Sequence, residues 1–309
     1  MSTGDTSTGK VGATQAPAQP TTSLDAVAAP VGWRALLRRV WADRNGRLGI
    51  LLTTALVVAA AVATAGWLPY DPVAHDTTSR LQPPSGAHWF GTDQFGRDVA
   101  TRTAVGIAAS LRVAVVAVAI ATVVGAALGI VAGFAGGLVD AVVGRLADVM
   151  FAFPAILLAL AIVAALGHGW QNTAVAIAVV YTPIFIRVAR GPTLSVVQQE
   201  YVKAGIVLGF SPIRLLVRHV LPNVSAPIVV QVMLALAWAI LTESGLSFLG
   251  LGTQPPEPSL GLMVEEARNL VTEAWWTLTF PAMVIVVSVI ALNLLGDGLR
   301  HALDPRSHA

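Results

Sequence analysis

The chain has 309 residues, of which 55% are hydrophobic and 12% charged, about half the charged share of an average soluble domain. With a mean hydropathy of +0.71, that balance excludes an ordinary soluble globule and points to an all-α integral membrane protein with several spans. A formal charge of only +2 gives no reason to expect nucleic acid as a partner, and the absence of cysteine excludes disulfides, thiolate catalysis and cysteine metal sites.

Residues 1–32 are rich in Ser, Thr, Gly, Ala and Pro and almost free of large apolar side chains, the composition of a disordered tail. Within them, residues 4–10 (GDTSTGK) match GxxxxGK, but Val11 stands where Ser or Thr is required. No strand precedes the match and no helix follows it, so it is not expected to bind nucleotide. In residues 33–47, Trp33, Leu36, Leu37, Val40 and Trp41 fall on one helical stripe, with Arg34, Arg38 and Arg39 largely off it. That pattern predicts an amphipathic helix at the cytoplasmic membrane interface, anchored by its tryptophans. The first apolar run starts only near Leu48, too far along for a signal peptide.

Residues 48–309 are expected to form one membrane domain of six spans. The first, about residues 48–68, has the length that a ~30 Å hydrocarbon core requires. A polar segment over 69–106 follows and ends in HWFGTDQFGRDVATR, which holds His88, Gly91, Thr92, Asp93, Gly96, Arg97, Asp98 and Arg102. Asp93 and Asp98 flank Arg97, but no nucleophile or ligand set accompanies them. They are expected to hold a hydrogen-bonded turn outside the membrane and to do no catalysis.

The second span, about 107–134, carries Gly125, Gly129 and Gly133, two overlapping GxxxG steps that favour close helix approach. Arg112 lies near its outer end, where it can snorkel. After the Gly136-Gly137 turn, Arg145 and Asp148 are three apart and are expected to pair. The third span, about 150–166, and the fourth, about 173–188, carry Pro154 and Pro183, and each proline predicts a kink. Arg187 and Arg190 mark the fourth span's cytoplasmic exit.

Residues 200–223 interrupt the apolar runs with the grammar of two short helices. The first stops near Leu208 at Gly209, which suits a left-handed C′ position. Ser211 then caps a second helix with Pro212 in its first turn, and Pro222 is expected to close it. The fifth span, about 225–248, holds one acid, Glu243, roughly 27 Å along the helix and so near the outer interface. An intramembrane carboxylate is a functional candidate, and here a structural role at an outer gate is preferred to ion coupling. Residues 253–275 carry four Glu against one Arg, and the last span is about 276–295. With the N-terminus inside, 14 of the 19 Lys and Arg fall on cytoplasmic segments, the bias of the positive-inside rule. Both termini and residues 199–222 are then cytoplasmic.

Several of these blocks resemble one family. Ala204, Gly209, Leu221 and Pro222 fall at the spacing of the cytoplasmic "EAA" loop of bacterial ABC importer permeases, with Lys203 where that family usually has Glu and Gly205 where it has a second Ala. The 88–102 segment is similar to the HxxGTDxxGRDxxxR signature of the C-type permeases of dipeptide, oligopeptide and nickel importers. Residues 243–258 and the LGDGLRHALDPR terminus resemble the same proteins, so the resemblance covers about 88–306. It implies a type I ABC importer fold, with residues 48–309 as its permease domain in the cytoplasmic (inner) membrane. It also implies that Glu200, Tyr201, Lys203, Ala204, Gly205, Leu208, Gly209, Pro212, Leu221 and Pro222 couple to an ATPase.

The implied partners are a second homologous permease, two ATP-binding subunits and an extracytoplasmic substrate-binding protein, in a lipid bilayer. The chain itself would be non-catalytic, without cofactor or metal, and ATP and Mg would be bound by the partners. Peptides are the cargo first implied; nickel chelates and haem-like ligands are alternatives on the same architecture. A secondary transporter working without ATP would need ionisable groups at the bilayer middle, and the spans hold almost none.

Overall fold

A backbone surrounded by hydrocarbon must satisfy every N–H and C=O within itself, and the apolar runs of this chain do so as helices. The structure is a computed structural model that describes residues 33–303. The 1–32 tail with its GxxxxGK match, and Asp304 and Arg306, lie outside the described residues. Eleven α-helices follow in order: α1 Trp33–Ala42, α2 Arg44–Thr64, α3 Val99–Ala135, α4 Gly137–Phe151, α5 Ala155–Leu166, α6 Trp170–Val197, α7 Glu200–Val207, α8 Pro212–Leu215, α9 Leu221–Phe248, α10 Leu260–Ala267 and α11 Trp276–Leu303. Among the described residues the only β pairing is an isolated bridge between Thr92 and Asp98.

Five helical segments are long and apolar enough to cross a membrane, and α4 with α5 makes a sixth only as a broken pair. The chain is thus a multi-pass membrane protein with two ends. One end carries a polar lobe, residues 65–98, with the 249–275 segment beside it. The opposite end carries the α7–α8 hairpin. Both α3 and α6 run beyond the expected limits because polar residues can continue a helix once it leaves the hydrocarbon. α3 begins at Val99, and Asp98 caps it by accepting from the Thr101 N–H at 2.7 Å. α6 continues to Val197, with Arg187 and Arg190 inside it and Pro183 and Pro192 carried without a break.

Three expectations need correction. The amphipathic helix ends at Ala42, because Asp43 accepts from the Gly46 N–H at 2.7 Å and caps a new helix, so Arg44 and Arg47 belong to the first span. The third span is not one kinked helix over 150–166. Pro154 has no N–H and disfavours helical backbone at Phe153, and α4 and α5 meet around it at 91°. Asp148 pairs with Arg187 of α6 at 2.8 Å, not with Arg145.

The core lies where α3, α6 and α9 meet, with Val113, Ala117 and Ala121 against Ile177, Phe185, Ala237 and Ile240. The α3 glycines make the closest part of this packing. A Cβ on Gly125 would sit 2.5 Å from the Thr182 carbonyl oxygen, and one on Gly129 would sit 2.4 Å from that of Ile186. The helices touch backbone to backbone, as the GxxxG spacing predicts. Large apolar side chains such as Val58, Val123 and Trp238 point outward, which suits a lipid surround.

Candidate functional site

The hairpin is built by local chemistry and hung between two spans. After α6, Gln199 leads into α7, which Gly209 terminates with φ +76°. The Gly209 N–H donates to the Ile206 carbonyl at 3.0 Å, and the Phe210 N–H reaches back to Gly205 O at 3.0 Å, so the last carbonyls of α7 are satisfied. Ser211 Oγ accepts from the Arg214 N–H at 3.3 Å, and Pro212 occupies the first turn of α8. Inside the hairpin Val202, Gly205, Leu215 and Val220 are buried. A Cβ on Gly205 would lie 2.8 Å from Leu215 Cδ2 and 3.2 Å from Phe210 Cδ2, so those two side chains fill the space that an alanine would take.

Pro222 does not close this helix. α8 passes through one π turn, Leu216–Val220, directly into α9, with Leu221 and Pro222 in the first turn of α9. Pro222 supplies no N–H, so one carbonyl in the preceding turn goes without its intrahelical bond, yet the helix continues past it. Residues 212–248 therefore form one continuous rod, about 55 Å long at 1.5 Å per residue. Glu200, Tyr201, Lys203, Ala204, Leu208 and Pro212 are all exposed, and so are three large apolar side chains: Val207 is 86% accessible, Ile213 74% and Val217 60%. Asn223, which sequence reasoning missed, ties the base of the hairpin: its side-chain amide donates to the His219 carbonyl at 2.6 Å and reaches the Tyr201 hydroxyl at 3.4 Å.

The opposite end is closed. Thr92, Asp93, Gly96, Arg97 and Asp98 are buried, as is Gly91, and His88 is nearly so. Asp98 divides its carboxylate between the α3 cap and His88 Nδ1, 2.9 Å away. Asp93 accepts from Arg97 Nε at 2.7 Å and from the Phe95 and Arg97 backbone N–H groups. Arg97 and Arg102 both donate to Glu266 Oε2, at 3.1 and 3.0 Å, and Arg102 also reaches the Pro72 carbonyl. Trp276 donates its indole N–H to Thr92 O at 3.1 Å. At Gly96, φ is +77° and a Cβ would lie 1.7 Å from Asp76 O, so only glycine fits. Asp76 caps the neighbouring turn, and the Thr78 hydroxyl, followed by that of Ser79, holds its carboxyl below the ordinary carboxylate range. Glu266 was the member that sequence reasoning missed; its one signal was the acidic excess of 253–275 facing the unmatched Arg97 and Arg102.

Glu243 sits within the helix bundle and is fully buried. Ser110 of α3 and Ser247 of α9 donate to its two oxygens, each at 2.7 Å. Its neighbour Thr242 meets the Tyr181 hydroxyl of α6 at 2.9 Å. The far end of the rod is thereby hydrogen-bonded to both other core helices.

The sequence matches the family model "Binding-protein-dependent transport system inner membrane component" over residues 125–308. It is similar to the dipeptide transport system permease protein of Alkalihalophilus pseudofirmus, 39% identical over 278 residues that cover 89% of this chain and 90% of that protein. It is also similar to the di/tripeptide transport system permease protein of Pseudomonas aeruginosa, 40% identical over 87% of this chain and 92% of that one. A glutathione transport system permease protein of Escherichia coli is 41% identical over 94% of this chain and 95% of its own length.

Proposed function

The chain belongs to the family of binding-protein-dependent transport system inner membrane components, and from that premise we propose that it is the permease subunit of an ATP-driven ABC importer of short peptides. The peptide class is supported by the relatives, three of which are named for dipeptides, di- and tripeptides, and glutathione. The ATP-driven part rests on one observation: a capped hairpin with an exposed apolar group, continuous with a core span. Such a hairpin suits a groove on an ATPase subunit, a helix-in-groove contact. The positive-inside bias supports a cytoplasmic position for it and for both termini, in the inner membrane. A second homologous permease, two ATP-binding subunits and a substrate-binding protein on the far side complete the assembly. ATP and Mg bind to the partners, and this chain performs no hydrolysis.

The mechanism follows from the rod. Closure of the ATPase pair displaces the hairpin, and because the hairpin runs into α9 through one π turn without a loop, the displacement passes along the helix. The motion reaches Thr242 and Glu243, whose bonds to Tyr181 and Ser110 carry it to α6 and α3. Those helices shift against one another and expose the pathway alternately to the two sides, in the manner of small packed-helix motions in switching proteins.

The test is uptake. The chain, purified from its native membrane with the proteins that accompany it, is placed in proteoliposomes with ATP inside and labelled di- and tripeptides outside. Peptide accumulation that requires ATP, an added substrate-binding protein and an intact hairpin is expected. Uptake by the isolated chain without ATP would overturn the proposal.

A further inference from the structure

A second charged site lies away from the hairpin, where α4 and α6 form a cavity of about 470 Å³. Asp140 accepts from Arg190 through both oxygens, and Asp148 accepts from Arg187 at 2.8 Å. Arg187 also stacks over Phe151 at 4.0 Å. Arg145 lines the same cavity and has no carboxylate partner among the described residues. Three guanidiniums against two carboxylates leave this cleft with one unmatched positive charge.

The rest of α4 says which anion fits. Leu138, Val142, Leu146 and Val149 are exposed and recur at helical spacing along one face. Arg145 lies three residues after Val142 and four before Val149, so it stands at the seam between the charged cleft and that apolar row. The 91° bend at Pro154 turns α4 away from the direction of α5, and a helix with one apolar face and one charged face is built for a membrane interface. A basic cleft between spans on the cytoplasmic side suits a lipid phosphate.

We propose that the α4–α6 cleft binds an anionic phospholipid of the cytoplasmic leaflet. Arg145 and Arg187 face its phosphate, and its acyl chain lies along Val142, Leu146 and Val149. The single negative charge of such a lipid matches the single unmatched guanidinium, whereas the ammonium of a choline headgroup is repelled by it. The inference takes only its orientation from the proposed function, and its test needs no transport.

The full-length chain in detergent is mixed with phosphatidylglycerol or phosphatidylcholine, and retained lipid is measured by native mass spectrometry. Preferential retention of phosphatidylglycerol is expected, with affinity falling about fivefold in Arg145→Gln, the effect of one basic residue at a membrane surface, and largely kept in Arg145→Lys. Equal retention of the two lipids, or an Arg145→Gln chain that folds normally and binds as the wild type does, overturns the site. Competition by inorganic phosphate at the same concentration would make it a phosphate site without a lipid. Displacement by a dipeptide with free termini would assign it to the cargo path. Either result ends the lipid proposal and leaves the importer reading to its own test.

Discussion

The two ends of this molecule differ in how they hold their charged side chains. At the lobe, charges are buried and matched: Arg97 and Arg102 are almost inaccessible and meet Asp93 and Glu266. At the hairpin, apolar side chains are exposed and unmatched: Val207, Leu208 and Ile213 face outward. A buried charge without a partner is costly, so the lobe must be complete within the chain. An exposed valine costs the fold almost nothing, and it acquires a purpose only when a second protein covers it. On the proposed function, the lobe belongs to folding and the hairpin to assembly, and substitutions at the two ends separate these roles.

The largest effect is expected at Glu266. Glu266→Ala leaves two buried guanidiniums with Asp93 as their remaining carboxylate, and breaking such a network costs about 3 kcal/mol. The thermal midpoint in detergent should fall clearly, the lobe should become sensitive to protease, and Glu266→Gln should lose less because an acceptor oxygen stays. An unchanged midpoint would mean that the lobe is not self-contained. Next comes Gly209→Val, which places a β-branched residue at φ +76° and costs about 1–2 kcal/mol. A Cβ there meets nothing within 4 Å, so the loss is conformational. Gly209→Asn, which tolerates the left-handed region, should restore both stability and ATPase stimulation.

The contrast between the ends also decides what was legible in the sequence. The hairpin was readable because its signals are local: Gly209 and Ser211-Pro212 set the stop and the start within a few residues. The lobe was half readable. Asp93, Arg97 and Asp98 lie within one turn, but Glu266 joins them from 164 residues beyond Arg102, and charge balance alone pointed to it. Pro222 was misread because a proline in a first turn and a proline after a helix give the same local signal, and only the continuity of the π turn separates them. Pro154 was read as a kink when it breaks the span, since no sequence pattern sets the angle between α4 and α5. Asp148 looked paired within its own helix, but α6 presents Arg187 closer.

Smaller still is the effect of acid on the lobe. Asp76 has its carboxyl held below the ordinary range by the Thr78 and Ser79 hydroxyls. A carboxylate of this kind contributes its full stabilisation above its ordinary value of 3.8 and loses it as pH falls through the lower folded value. Protease protection of the lobe in wild type and Asp76→Asn should therefore differ at neutral pH, and the difference should narrow only below the ordinary carboxylate range. A gap independent of pH would assign the contribution of Asp76 to its shape.

The smallest stability effect should accompany one of the largest functional ones, at Val207. The side chain is 86% accessible, so Val207→Asp removes little buried surface, and the unfolding free energy should stay within about 0.5 kcal/mol of wild type. If the proposed importer docks an ATPase on this surface, the same carboxylate would enter the contact without a partner, and a desolvated unpaired charge at a contact costs several kcal/mol. Co-purification of the ATPase and peptide-stimulated hydrolysis should both collapse while the isolated chain remains folded. A conservative Val207→Ile should keep both. If Val207→Asp instead unfolds the chain, the hairpin is part of the core and the division between the two ends fails. If it changes neither stability nor hydrolysis, the docking surface lies on another face of the hairpin, with Tyr201 and Lys203 the next residues to replace.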